Sequence, residues 1–205
     1  RISDWPPIFS TTSLMENRII LASASPRRSE LLERAHIPFE VRVSDAQEDN
    51  SQGLEPSELV RHNAYIKALA VARRYPEERV VLGADTIVAL DGKIYGKPSD
   101  KKRAAEMLAE LSGKTHSVFT GVALAGLGGE KKLVAAEESR VSFKKLSTAE
   151  IEKYIETVNV LDKAGAYAAQ EHGSMIIEKI EGNFDNVMGL PCGLVERLLA
   201  EFSRI

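Results

Sequence analysis

The chain has 205 residues, 43% of them hydrophobic and 28% charged, with a formal net charge of −3. That length supports one sizeable core, or a core with a small lobe, and the balance is that of an ordinary globular protein rather than a disordered one. The net charge argues against broad affinity for nucleic acid or an anionic membrane, no apolar stretch reaches the ~20 residues that span a bilayer, and the lone Cys192 excludes an internal disulfide, which suits a reducing cytoplasm.

Residues 1–14, RISDWPPIFSTTSL, carry a Pro-Pro pair and no usable periodicity, and lack the continuous apolar run of a signal peptide. They are expected to be a peripheral extension, with residues 15–205 as a single domain. Residues 18–22 form a short apolar, β-branched run that suits a buried strand. Ser25 and Pro26 then read as an N-cap and first helical position, with Leu31 and Leu32 following at helical spacing. Residues 39–43 suit a second strand, and 44–55 an acidic polar loop. Pro56 starts a helix to about Arg74, with Leu59, Asn63, Ile66 and Ala70 along one stripe.

Residues 79–82 are a compact strand that runs into Gly83-Ala84-Asp85-Thr86, and Asp91-Gly92 is a hairpin turn between 87–90 and 93–95. Ser99 can cap a helix whose apolar face is Ala104, Met107, Leu108 and Leu111, stopped by Gly113. Two β-rich segments, 117–124 and 133–143, flank the turn GLGG. Ser147-Thr148-Ala149-Glu150 spells a capping box for a helix to about Thr157. Residues 174–180 suit a strand and 192–202 a last helix after Pro191. Strands and helices alternate first and hairpins follow, which implies an α/β protein with a mixed sheet.

Three segments place polar groups where such folds build sites. In Ser23-Ala24-Ser25-Pro26-Arg27-Arg28, small residues and a helix N-terminus offer amides to an anion, and two guanidiniums add donors suited to phosphate. The arginines sit where the helix dipole disfavours cations by a few tenths of a kcal/mol, which a bound anion would offset. A capped helix with solvated arginines is the plain alternative. In VVLGADTIV, residues 80–88, Asp85 lies between apolar runs and must be solvated, paired or metal-bound, because a bare buried carboxylate is too costly. It is either a turn cap or a carboxylate that holds a hard cation or activates water. Glu48 in the acidic loop is a candidate second carboxylate, although taken alone it reads as a solvated loop charge. In LDKAGAYAAQEHGSMIIE, Asp162 and Lys163 precede small residues that admit a ligand to the backbone, and Gln170 offers both donor and acceptor for a base edge. A short loop with an internal ion pair is the alternative there.

Lys67 lies on a helical face beside Ala64 and Val71, where a lysine can snorkel, and Lys97-Pro98 ends a hairpin strand. The four histidines lack metal-ligand spacing, and His116 reads as structural. GLGG has neither the Walker lysine nor a following helix. Cations and amides for phosphates, with carboxylates for a metal, favour a metal-assisted enzyme on a phosphate ester or anhydride over a redox enzyme.

The strings LASASPRRSELL, GADTIV, GKP, LSGKTHSVFTGVAL, DKAGAY and GLP occur in the order seen in the Maf family of nucleoside triphosphate pyrophosphatases, which the chain resembles over about residues 17–202. The resemblance implies the elongated two-lobed fold of inosine-triphosphate pyrophosphatases with a central nucleotide cleft. It implies cleavage of a nucleoside triphosphate to monophosphate and pyrophosphate with a divalent metal, Mg²⁺ or Mn²⁺. It also implies a cytoplasmic protein, often a homodimer, while the expectation of no nucleic-acid or membrane partner rests on the net charge and the lack of a long apolar stretch. By the same resemblance Asp85 is the proton acceptor and Glu48 supports the metal with it. Ser23, Arg27, Arg28, Lys67, Lys97 and Lys163 match the phosphate-facing set.

Arg27, Thr86 and Gln170 match the branch that prefers dTTP and UTP, whereas the branch acting on 7-methyl-GTP carries a tryptophan after the proline. The chain departs from the usual Gly-Ile-Gln-Gly with Ala168-Ala169-Gln170-Glu171, which keeps the glutamine on a stiffer backbone and bears on base preference more than on catalysis. Two rival readings are a non-catalytic nucleotide-binding regulator of cell division and a pyrophosphatase for non-standard or methylated nucleotides. The presence of Asp85 favours catalysis over the first.

Overall fold

Seven strands form one mixed sheet in the computed structural model, which describes residues 18–49, 53–76 and 79–204. The expected extension over residues 1–14 lies outside them. Strand β1 (Ile19–Leu21) is fully buried and leads into helix α1 (Pro26–Arg34). Ser25 holds the N-cap position and Pro26 the first turn, although the Ser25 side chain makes no capping bond. Strand β2 (Phe39–Val41) and helix α2 (Pro56–Ala72) follow.

Strand β3 (Val81–Leu90) does not end at Gly83-Ala84-Asp85-Thr86 as expected but runs through it. Burial explains the difference: from Val81 to Leu90 only Thr86 is not fully buried, and the antiparallel partner β5 (Thr115–Gly126) pairs along nearly the whole strand. The Asp91-Gly92 hairpin leads to β4 (Lys93–Tyr95) as expected. Helix α3 (Lys101–Leu111) is capped by Asp100 rather than Ser99, because the Asp100 carboxylate accepts from the Arg103 amide. Strand β6 (Lys131–Phe143) returns after a 3-10 turn at Leu127–Gly129. Ser147 and Glu150 form the expected capping box of α4 (Thr148–Thr157). Strand β7 (Ile177–Glu181), a short helix α5 (Phe184–Met188) that the periodicity does not reveal, and α6 (Cys192–Phe202) complete the order.

The sheet order is β2-β1-β3-β5-β6-β7, with β4 paired to β3. The β2-β1-β3 part is parallel and the remainder antiparallel. The long strands carry separate apolar cores at their two ends. One packs Val88, Leu90 and Val118 with residues of α3 and α4, among them Leu108 and Tyr154. The other packs Leu82, Ala84 and Leu124 with Leu31 of α1 and Leu198 of α6.

Two glycines set the height of α2 above the sheet. A Cβ on Gly83 would lie 2.2 Å from the Ala64 carbonyl oxygen, and one on Gly121 would lie 2.1 Å from that of Val60. Only glycine allows so close an approach of backbone to backbone. The buried face of α2 is therefore the small-residue one, Ala64, Ala68, Val71 and Ala72 beside Leu59, Val60 and Asn63, while Ile66 and Ala70 are half-buried rather than core.

Candidate active site

Strand β1 pairs with β3 only as far as Leu82, and β4 begins pairing on that side at Val88. Over residues 83–87 no described strand covers this edge of β3, and the gap lies beyond the carboxyl end of β1, where open α/β sheets bind ligands. Asp85 and Thr86 are neighbours on opposite faces of the strand, yet both line one cleft because it opens at the bare edge. The cleft has a volume of about 640 Å³, ample for a nucleotide. Ser23, Arg27, Arg28, Glu48, Lys67 and Lys97 also line it, as does Gln170.

Lys67, carried onto β3 by the close approach of α2, does not snorkel. Its Nζ lies 2.7 Å from Asp85 Oδ1 and 2.6 Å from Glu48 Oε1, with side chains of Lys67 and Asp85 only 11% and 9% exposed. Asn63, one turn earlier on α2, donates from Nδ2 to Asp85 Oδ2 at 3.2 Å and to the Asp49 carbonyl at 3.0 Å, and accepts from the Asp49 amide at 2.8 Å. One asparagine thus orients Asp85 and fastens the acidic loop that carries Glu48. The sequence places Asn63 on the buried face without a role. The signal was a polar side chain in that apolar stripe, four residues before a lysine.

Arg28 is held on three sides. It donates to the Gly189 carbonyl at 2.9 Å, Ser23 Oγ at 3.0 Å and Thr86 Oγ1 at 3.2 Å. Burial pushes its pKa below the usual arginine value, and the Asp85 charge opposes that shift. Thr86 Oγ1 in turn lies 3.0 Å from Thr120 Oγ1. Arg27 reaches across the cleft to Asp162, with Nη1 3.3 Å from Oδ2 and Nη2 3.4 Å from the carbonyl oxygen. Burial would raise the Asp162 carboxyl, but the Lys163 hydrogen bond and the charges of Lys163 and Arg27 hold it below the usual range.

Lys163 does not line the cleft. It is buried behind Asp162, its Nζ 2.6 Å from the Asn159 carbonyl and 2.9 Å from Asp162 Oδ1. Lys97 is exposed on the rim. Gln170 is also exposed and donates to Glu30 Oε1 of α1 at 2.9 Å. The backbone before it is fixed at Ala168, whose amide and carbonyl both meet the Tyr154 hydroxyl, at 3.0 and 3.3 Å. Tyr167 lines the cleft and its hydroxyl lies 2.9 Å from Nε2 of the buried His116. Among the described residues no group of three or more His, Cys, Asp or Glu is placed to hold a metal by itself, and no helix is long and apolar enough to cross a membrane.

Comparison with known proteins places this cleft in context. The family described as Maf-like protein matches residues 18–202. A dTTP/UTP pyrophosphatase of Akkermansia muciniphila is 50% identical over 173 residues, covering 84% of this chain and 90% of that protein. Proteins of the same name from Bacillus cytotoxicus and Symbiobacterium thermophilum are 48% and 47% identical, each over 90% of this chain and 95% and 94% of their own. Among solved structures, a nucleoside-triphosphatase / dITP/XTP pyrophosphatase from Mycobacterium abscessus aligns with a TM-score of 0.41 at 20% identity, over 63% of this chain and 75% of that one.

Proposed function

Since the chain belongs to the Maf-like protein family, we propose that it is a nucleoside triphosphate pyrophosphatase that cleaves dTTP and UTP to the monophosphate and pyrophosphate. The observation that carries this reading is the meeting of Asp85, Glu48 and Lys67 on one wall of a cleft that also presents Arg27 and Arg28. We take residues 15–205 as one functional domain. A cytoplasmic setting is supported by the lone, buried Cys192, and a homodimer by the family resemblance.

The residues present fit a divalent cation such as Mg²⁺ or Mn²⁺. Asp85 Oδ1 and Glu48 Oε1 converge on one point, now taken by the Lys67 ammonium, and both are hard oxygen donors. Two carboxylates suit an ion that completes its shell with water and substrate phosphate oxygens. When bound, such a cation supplies charge neutralisation for the phosphates and for the leaving pyrophosphate.

The chain's own groups do the remainder. Asp85 accepts the proton of the water that attacks the α-phosphorus in line, and Asn63 keeps its carboxylate oriented. Lys67 and Arg27 offset the charge that builds on the phosphate oxygens, while Arg28 adds a fixed positive charge through a side chain clamped by Ser23, Thr86 and Gly189. Phosphoryl chemistry needs little covalent help, so positioning and charge dominate. Thr86 and Gln170 offer a hydroxyl and an amide for the base.

Incubation of the pure protein with a panel of nucleoside triphosphates and Mg²⁺ or Mn²⁺, with pyrophosphate as readout, tests the reading. dTTP and UTP should be cleaved on the order of tenfold faster than ATP or GTP, the worth of one or two good hydrogen bonds. Release of orthophosphate instead of pyrophosphate, or equal cleavage of all the common triphosphates, would overturn it.

A further inference from the structure

We propose that Glu30 orients the Gln170 amide and thereby selects bases that carry an N–H at the ring position between two carbonyls, an inference that rests on the pyrimidine reading above. Gln170 Nε2 donates to Glu30 Oε1 at 2.9 Å across 140 residues of sequence. A free glutamine is ambiguous, since its amide can turn either atom toward a ligand. A carboxylate only accepts, so Glu30 engages the NH₂ end and leaves Oε1 as the atom Gln170 offers to the cleft. Gln170 lines the cleft, whereas Glu30 stands behind it on α1 and does not.

The pairing has a second support. Arg27, one turn before Glu30 on α1, is tied to Asp162 of the same segment at 3.3 Å. Residues three apart share a helix face, so one face of α1 engages the 162–170 segment twice. The Ala168 backbone between these links is held by the Tyr154 hydroxyl. Gln170 is therefore presented from a stretch tied to α1 at both ends and held at Ala168 between them.

The chemical consequence is specific. Uracil and thymine carry N3–H between two carbonyls and can donate to a glutamine Oε1. Cytosine has a bare N3 lone pair there and meets the same oxygen as a repulsion. The site should reject an analogue that leaves its polar atom unpaired. UTP and CTP differ only on this edge, which makes them the discriminating pair. The 5-methyl group and the 2′-hydroxyl lie away from it, so dTTP and UTP are read alike.

The test measures kcat and KM for UTP and CTP with Mg²⁺ in the wild type, in Glu30→Gln, and in the swapped pair Glu30→Gln with Gln170→Glu. The wild type should favour UTP over CTP by at least roughly tenfold in kcat/KM, the worth of one hydrogen bond that becomes a repulsion. In Glu30→Gln the new amide can donate or accept, Gln170 is free to turn over, and the ratio should fall toward one, chiefly through a lower KM for CTP. In the swap, residue 170 is a carboxylate that accepts from Gln at position 30, and the preference for UTP should return. A Glu30→Gln variant that keeps the wild-type ratio, or a swapped pair that melts like the wild type yet stays unselective, overturns the role of Glu30 and leaves the pyrophosphatase reading standing. A wild type that cleaves UTP and CTP equally overturns this inference alone, whereas equal cleavage of UTP, ATP and GTP would overturn the pyrimidine reading on which it rests.

Discussion

Lys67 Nζ stands 2.7 Å from Asp85 Oδ1, which brings a cation from α2 onto the middle of β3. The pair is nearly enclosed, so each charge depends on the other for its solvation. Removing Lys67 should cost about 3 kcal/mol or more, because Asp85 would stay buried without the cation that meets it, whereas loss of the Asp85 charge leaves Lys67 its contact with Glu48. The arrangement therefore joins the stability of the α2–β3 contact to the charge that the site needs for chemistry.

Asp85→Asn should abolish turnover and keep the fold. The asparagine retains the shape, and Lys67 keeps its 2.6 Å contact with Glu48. Loss of a proton acceptor or metal ligand predicts a fall in kcat of at least ~100-fold. Pyrophosphate release and circular dichroism on one preparation check it, and a near wild-type rate would remove Asp85 from its assigned role.

Arg27→Ala should damage kinetics far more than stability. Its ion pair with Asp162 joins side chains that are 22% and 48% exposed, so its loss should cost at most about 1 kcal/mol. Removing a cation from the first turn of α1 slightly favours the helix. We expect KM for the triphosphate to rise about tenfold or more with little change in melting temperature. A large drop in melting temperature with unchanged kinetics would make Arg27 a structural residue.

Gly121→Ala should lower stability and activity together, although residue 121 does not line the cleft. The added Cβ meets the Val60 carbonyl, a backbone atom that cannot swing aside, and α2 must lift with Asn63 and Lys67 upon it. Overpacking of this kind costs about 1–3 kcal/mol. Denaturant unfolding and kcat of the same variant test the coupling, and normal kcat in a destabilised protein would show that the site tolerates a shift of α2.

Acid should destabilise the protein through His116. Burial between Phe143 and Tyr167 lowers its pKa from 6.5 to about 4, and the unfolded chain titrates near the ordinary value. A depressed folded pKa means that the unfolded state binds the extra proton first. The stabilisation is complete above about pH 6.5 and is lost as pH falls toward about 4, on the order of 3 kcal/mol in total. His116→Gln keeps a polar group for the Tyr167 hydroxyl and removes this titration. The variant should lose roughly 2 kcal/mol less than the wild type between about pH 7 and 4.5. Equal losses in urea unfolding would assign the acid sensitivity to the carboxylates.

Elements governed by near neighbours in the chain were legible in the sequence. The Ser147–Glu150 capping box, the Asp91-Gly92 hairpin and the span of α6 each depend on groups a few residues apart. Where two local signals compete, the reading slips by a residue, as with Asp100 in place of Ser99. The course of β3 through Gly83-Ala84-Asp85-Thr86 was not legible, because small and polar residues look like a turn until a partner strand buries them. Helix α5 was not legible either, since five residues are too few to show a helical period.

The candidate site divides along the same line. The sequence alone determined which chemical groups are available: Asp85 after an apolar strand, two arginines at the start of a helix, and a glutamine in a loop of small residues. Only the tertiary structure decided that Lys67 faces Asp85 and Glu48, that Lys163 lies behind Asp162, and that Arg27 and Glu30 meet Asp162 and Gln170 135 and 140 residues away. Periodicity and capping act over a turn or two of chain. These meetings depend instead on the sheet order, on the bare edge of β3, and on the depth to which Gly83 and Gly121 let α2 settle.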